Sequence, residues 1–236
     1  MDSRFSRTER IFGAQGMEKL RNSCVAVFGV GGVGSYIAEG LARSGVGHIH
    51  LIDSDEVDIT NLNRQLEALS ETVGQPKAEA MKQRILQINP ECEVTVHDCF
   101  FLPENSADFD FTKYDYVADA VDTVTAKIEL VVKAQREGTP IISSMGTGNK
   151  LSPALLEVED IYKTSVCPLA RVMRQELKKR GVKHLKVVYS KEEPIKALAS
   201  EEEDQHRRSI PASAVFVPGT AGLIIASEIV KELVNR

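Results

Sequence analysis

Three glycines, Gly29, Gly31 and Gly34, break the chain after a short apolar run, and Asp53 closes the next apolar run about 20 positions later. Glycines at this spacing let the backbone turn tightly and approach a phosphate, while the free amides and the positive dipole end of a following helix favour an anion. A carboxylate at the second run's end can accept from ribose hydroxyls. Together they describe a nucleotide site. A second set reaches for the phosphate end. Arg64, in the polar stretch Asn61 to Gln65, carries a planar fork that suits phosphate. Lys77 stands at the start of a helix, where a cation opposes the dipole by roughly 0.3–1 kcal/mol; an anion held beside it removes the conflict. Asp122 follows another apolar run, where it can cap the next helix, as Thr123 can, or hold magnesium beside the phosphates. Hydride transfer needs the glycine turn and Asp53 but has no general use for Arg64, Lys77 and Asp122. Splitting a triphosphate does use them, because cations neutralise charge developing on the leaving pyrophosphate. ATP is therefore favoured over NAD.

These residues need strands to carry them to one edge. Val25 to Phe28 reads as a strand, followed by the glycine turn, a helix with Val33, Tyr36, Ile37 and Leu41 on one face, and a second strand ending at Asp53. The loop through Gln65 then lies at the carboxyl edge of the sheet, where ligands bind in such folds. A helix with Ala78, Met81, Ile85 and Ile88 follows, then strands at Val94 to Val96 and Tyr114 to Ala120. After a helix from Val124 to Arg136 comes a strand at Pro140 to Ser144, and the loop Met145 to Lys150 is a further candidate for lining a substrate. The pattern predicts an α/β, doubly wound, Rossmann-like and mostly parallel sheet with helices on both faces. Upstream, Gln15 to Arg21 reads as a short helix. Arg4 to Gly13 has little periodicity and reads either as a solvated arm or, through Arg4, Arg7 and Arg10, as one that reaches an anion in a partner subunit. Downstream, the pattern predicts a strand at Leu155 to Val158, an amphipathic helix with Leu169, Val172, Met173 and Leu177, a strand over 186–190, a charged mobile loop over 197–210, a strand at Ser213 to Val217, and a last helix burying Leu223, Ala226, Val230 and Leu233.

The 236 residues, 42% hydrophobic and 27% charged, suit one domain over 1–236, with a nucleotide-binding core over 1–150 and an extension over 151–236. A net charge of −5 offers no global attraction for nucleic acid. Locally, Arg171, Arg174, Lys178, Lys179, Arg180, Lys183, Lys186 and Lys191 face a single acid, Glu176. This stretch reads as a phosphate-meeting patch or as a solvated helix face beside the acids Glu201 to Asp204. Cys24, Cys92, Cys99 and Cys167 lack the paired spacing of a zinc site or a disulfide framework; Cys24 and Cys92 read as core. With no signal segment and no run long enough to span a bilayer, the expectation is a soluble cytoplasmic protein.

The stretches GVGGVGS (Gly29 to Ser35), Asp53, NLNRQ (Asn61 to Gln65), GQPK (Gly74 to Lys77) and DAVD (Asp119 to Asp122) resemble, in order, the ATP site of the ThiF-like adenylyltransferases, relatives of ubiquitin-activating enzymes. RFSRTERIFG near the start, INPECEVTV (Ile88 to Val96), CPLARVMRQELKKRGV (Cys167 to Val182), VVYSKEEP (Val187 to Pro194) and FVPGTAGLIIASEIVKEL (Phe216 to Leu233) are similar to the tRNA threonylcarbamoyladenosine dehydratases of that superfamily. The resemblance implies that Gly29, Gly31, Gly32 and Gly34 receive phosphates, Asp53 the ribose, and Asn61, Arg64, Gln65 and Lys77 the triphosphate. It implies that Asp122 holds magnesium, that Arg7 or Arg10 contacts ATP across a homodimer, and that the basic segment meets tRNA. The implied activity is adenylation of the carboxylate of threonylcarbamoyladenosine, then ring closure with release of AMP. The alternative is activation of a small carrier protein's C-terminal glycine. Sulfur-carrier activators often hold zinc on two Cys-x-x-Cys pairs, which this chain lacks. Cys167 stands where dehydratase relatives often have aspartate and is not assigned as a nucleophile. A monovalent cation near Gly146 to Lys150 and a sulfur-relay partner are left open.

Overall fold

The computed structural model describes residues 3–196 and 211–235. Seven strands form one sheet: β1 (Cys24–Phe28), β2 (His48–Ile52), β3 (Glu93–His97), β4 (Tyr116–Asp119), β5 (Ile141–Ser144), β6 (Leu156–Asp160) and β7 (Lys186–Ser190). Their order is β3-β2-β1-β4-β5-β7-β6, and every neighbouring pair is parallel except β6 with β7. The chain winds outward from β1 to β3, then returns to start β4 on the other side of β1. That reversal opens a crevice at the carboxyl ends of β1 and β4.

The helices are α1 (Ser6–Asn22), α2 (Gly34–Ser44), α3 (Lys77–Ile88), α4 (Val124–Glu137), α5 (Pro168–Lys179) and α6 (Phe216–Asn235). Alternation along β1 divides the core between two faces. Val25 and Val27 join residues of α2, α3 and α6, whereas Ala26 and Phe28 join Phe101, Phe109, Phe111 and α4. The Phe28 and Phe101 rings meet edge to face at 5.0 Å. α5 packs on α4 and β7 in a third apolar cluster.

Four expectations are corrected. The weakly periodic N-terminal arm is helical: α1 runs from Ser6 to Asn22, broken at Gly13, whose φ of 70° a helix cannot contain. No strand forms at Ser213 to Val217. Residues 211–214 are irregular, and the apolar Phe216 and Val217 open α6, with Pro218 in its first turn where its missing N–H costs nothing. Leu223, 50% exposed, is replaced in the core by Ile225 and Ile229. Val172, 40% exposed, lies off the face of α5 that buries Ala170, Met173 and Leu177. The expected mobile loop lies outside the described residues.

Candidate active site

The crevice between β1 and β4 encloses about 420 Å³. Of the predicted site residues, Gly29, Gly31, Gly32, Asp53, Asn61, Arg64, Gln65, Lys77 and Asp122 line it. Ile52, Phe100, Leu102, Val121 and Ala126 form an apolar end, and Thr147 reaches it from the loop after β5. An apolar end joined to a glycine turn and cations has the polarity of a nucleotide.

Packing explains two of the glycines. A Cβ on Gly29, at φ 85°, would meet the Ala120 carbonyl oxygen at 2.7 Å, and one on Gly34 would lie 1.7 Å from the Gly29 oxygen. Gly34 therefore sets the turn rather than lining the crevice. At Gly31 and Gly32 a Cβ would make only ordinary contacts, so the protein's own packing does not demand glycine there. A group approaching the backbone from the crevice would.

Asp53 braces this turn. Its Oδ2 accepts from the Val30 amide at 2.6 Å and its Oδ1 from the Asp55 amide at 2.8 Å. Burial pushes its carboxyl above the usual range, against the lowering effect of those amides. Asn61 Oδ1 accepts from the Asp58 amide at 3.0 Å, closing a capping box on a short 3-10 helix over Ile59–Asn61. The next residues hang from that turn. Arg64 Nη1 donates to the Thr60 carbonyl at 2.9 Å and to Asn63 Oδ1 at 2.8 Å, with its half-buried side chain on the crevice. Gln65 is buried, and its Oε1 accepts no hydrogen bond among the described residues.

Lys77 is the first residue of α3, as predicted. Its ammonium, however, is paired within the chain, with Nζ 2.7 Å from Asp55 Oδ2. Asp55 is a site residue that sequence reasoning missed; its only signal was its place among the acids after β2. A second missed group lies beneath the crevice, where fully buried Lys127 donates to Asp119 Oδ1 at 3.0 Å and to the Val121 carbonyl at 2.9 Å. Ser143 donates to the other oxygen of Asp119. This cluster ties the ends of β4 and β5 to α4 and fixes the turn that carries Asp122. Neither Asp122 nor Thr123 caps α4 through its side chain; the Thr123 hydroxyl donates to Asp122 Oδ1 at 3.3 Å, and Asp122 is exposed on the crevice.

Other predicted residues lie elsewhere. Arg7 and Arg10 are exposed on α1 and do not line the crevice of their own chain. The basic stretch is less cationic than its sequence. Lys179 and Arg180 pair with Glu176, Lys186 with Glu228 and Glu232, and Lys191 with Glu157, while Arg174 donates to Thr164. Arg171, Lys178 and Lys183 are exposed with no ion-pair partner among the described residues. All four cysteines are free thiols. Cys92 is buried and Cys24 half-buried, and burial pushes their thiols up to about 12 and about 11. Burial, aided by Asp98 and Asp108, also raises Cys99, so none of these three is poised as a thiolate.

No group of three His, Cys, Asp or Glu side chains gathers to hold a metal among the described residues. A lone carboxylate such as Asp122 suits a hard cation whose remaining ligands are phosphate oxygens and water.

The sequence matches the ThiF family over residues 5–236. It is 47% identical to the tRNA threonylcarbamoyladenosine dehydratase of Bacillus subtilis over 98% of this chain and 94% of that one. It is 45% identical to the Escherichia coli dehydratase, over 74% of this chain and 65% of the relative's length. The fold superposes on crystal structures of E. coli TcdA in complex with AMP and with ATP with TM-scores of 0.90 and 0.88, at 37% identity over 98% of this chain and 94% of that one.

Proposed function

The chain belongs to the ThiF family, and from that premise we propose that it is an ATP-dependent tRNA threonylcarbamoyladenosine dehydratase. One observation carries the reading: the switch-point crevice joins an apolar end to a glycine turn, Arg64, Lys77 and Asp122. The base occupies the apolar end, and the phosphates lie along the Gly31 and Gly32 backbone toward Arg64 and Lys77.

The reaction makes a poor leaving group into a good one. The carboxylate of threonylcarbamoyladenosine attacks the α-phosphorus of ATP, a bond to AMP forms and pyrophosphate leaves. A nitrogen of the same modification then attacks the activated carbonyl, loses its proton, and expels AMP as the ring closes. The net change to the tRNA is loss of one water. Arg64 and Lys77 offset the charge that grows on the leaving pyrophosphate. For Lys77 this means that phosphate oxygens compete with Asp55 for the ammonium. Asp122 would hold magnesium, which neutralises phosphate charge when bound. Ring closure is intramolecular and gains from high effective molarity, so the chain need only hold the adenylate and exclude water.

The finer parts of the reading are a homodimer in which Arg7 or Arg10 reaches the partner's nucleotide, and a tRNA surface at Arg171, Lys178 and Lys183. No helix among the described residues is long and apolar enough to cross a membrane, which fits a cytoplasmic site of action. The test is mass spectrometry of nucleosides from threonylcarbamoyladenosine-bearing tRNA after incubation with the protein and ATP. The expected result is a nucleoside lighter by one water, with AMP released. Unchanged tRNA alongside an adenylated or thiolated carrier protein would replace this reading with carrier activation.

A further inference from the structure

Glu67 follows the phosphate-facing residues by two positions and takes no part in the chemistry above. It is 2% exposed, and neither carboxylate oxygen has a hydrogen-bond partner among the described residues. The other buried side-chain oxygens in that condition are Ser54 Oγ and Gln65 Oε1, in the same loop system. The segment is anchored to the start of α2, where the Leu66 amide donates to Ser35 Oγ at 3.3 Å, and by Thr72, whose hydroxyl donates to the Glu67 carbonyl at 2.7 Å. Ionisable groups face Glu67 from three sides: Lys77 and Arg84 of α3, Tyr36 of α2, and Asp53 at the end of β2.

Both cations are already engaged. Lys77 is held by Asp55 at 2.7 Å, and Arg84 by both oxygens of Glu39 at 2.6 and 3.1 Å. The remaining charged neighbour, Asp53, is an acid. An ionised Glu67 would therefore be a buried charge with no cation of its own, met only by the Ser35 hydroxyl and its own backbone amide, behind the turn that receives phosphates. Burial accordingly pushes its carboxyl up to about 8.

We propose that Glu67 is a proton-linked positioning residue of the nucleotide crevice: it must carry a proton for a polyphosphate to seat, so nucleotide binding takes up a proton at this carboxyl. Protonated, it leaves Lys77 and the turn amides as the dominant field on the phosphates. Ionised, it sets a second buried negative charge beside Asp53 against them. The inference rests on the reading of the crevice as an ATP site.

Calorimetric titration of the protein with ATP at pH 8, in two buffers of different ionisation enthalpy, counts the protons exchanged. The expected result is uptake of about half a proton per ATP at pH 8, with affinity falling about tenfold per pH unit above that. Glu67→Gln should bind ATP without uptake and with affinity nearly level from pH 7 to 9. Glu67→Met, which removes the proton site with apolar bulk, covers the case in which the amide disturbs folding. Equal uptake in wild type and variant, or wild-type affinity level across this range, would overturn the inference and leave the ATP site standing. No ATP binding at any pH would overturn both.

Discussion

The Lys77 ammonium lies 2.7 Å from Asp55 Oδ2, and the Lys77 amide donates to the Asp55 carbonyl at 2.9 Å. The two side chains differ in exposure, 8% for Lys77 and 49% for Asp55. The cation is thus fixed at the edge of the crevice by a carboxylate that water can solvate once a phosphate takes its place. This pairing answers the conflict between a cation and the start of α3.

Replacing the cation should therefore remove activity without removing the fold. Lys77→Ala is expected to slow AMP release by about 10²-fold or more, the size of effect seen when one charge-stabilising donor is lost. Asp55 keeps its solvent contact, so the unfolding free energy should change by only about 1 kcal/mol. Turnover assays beside urea titration separate the two. Activity within a few fold of wild type would remove Lys77 from the chemistry.

Asp122 makes the complementary case. It is exposed and its hydrogen bond is a long one from Thr123, so Asp122→Asn should leave stability within about 0.5 kcal/mol of wild type. Product formation is expected to fall sharply at all magnesium concentrations that saturate wild type. A magnesium dependence that superposes on wild type would assign the cation to other ligands.

How much of this was legible in the sequence follows from the physics of each signal. Apolar runs of strand length and the glycine turn depend on local backbone requirements, so β1 to β5 and the turn were readable within a residue or two. The site residues at strand ends followed, because sheet topology carries them to one edge. Asp55 and Glu67 were not readable, since nothing in their local pattern says which loop acid meets Lys77 and which is buried with no cation of its own. Asp119 and Lys127 form their pair only once α4 is laid on β4. Val217 misled because a short β-branched and aromatic run fits a strand and a buried helix start equally.

The Asp119–Lys127 pair is fully buried, and removing one partner strands the other charge. Lys127→Met should destabilise the chain by about 3–5 kcal/mol, while the double change Asp119→Asn with Lys127→Met should recover part of that loss. Denaturant midpoints of wild type, Lys127→Met, Asp119→Asn and the double variant give the coupling. A single change costing less than about 1 kcal/mol would show that the pair does not hold the turn before Asp122.

Stability should depend on pH at both ends. His50 Nδ1 lies 3.0 Å from His97 Nε2, and burial, with His97 beside it, holds His50 down to about 4. Its folded value is below the ordinary 6.5, so its contribution is present above 6.5 and lost as pH falls toward about 4. Glu67 has the opposite sign. Its folded value is raised from 4.5 to about 8, so its contribution is full below 4.5 and is lost as pH rises through about 8. Thermal melting should peak between these limits, with Glu67→Gln flattening the alkaline side and His50→Phe the acid side. A wild-type melting temperature level from pH 4 to 9 would contradict both.

The ion pairs also change what to expect of tRNA binding. Lys179 and Arg180 share the single carboxylate of Glu176, so the three together present one net positive charge, and replacing the two cations also breaks a local network. Arg171, Lys178 and Lys183 lack such partners among the described residues and stay exposed. Each contact of this kind that is lost lowers the salt dependence of binding by about 1 in the log–log slope. Replacing these three by Gln should weaken tRNA binding and flatten that slope, while Lys179→Gln with Arg180→Gln should do less of both. If the second variant flattens the slope as much as the first, the tRNA follows the whole α5 face, and Glu176 must release its partners when the RNA binds.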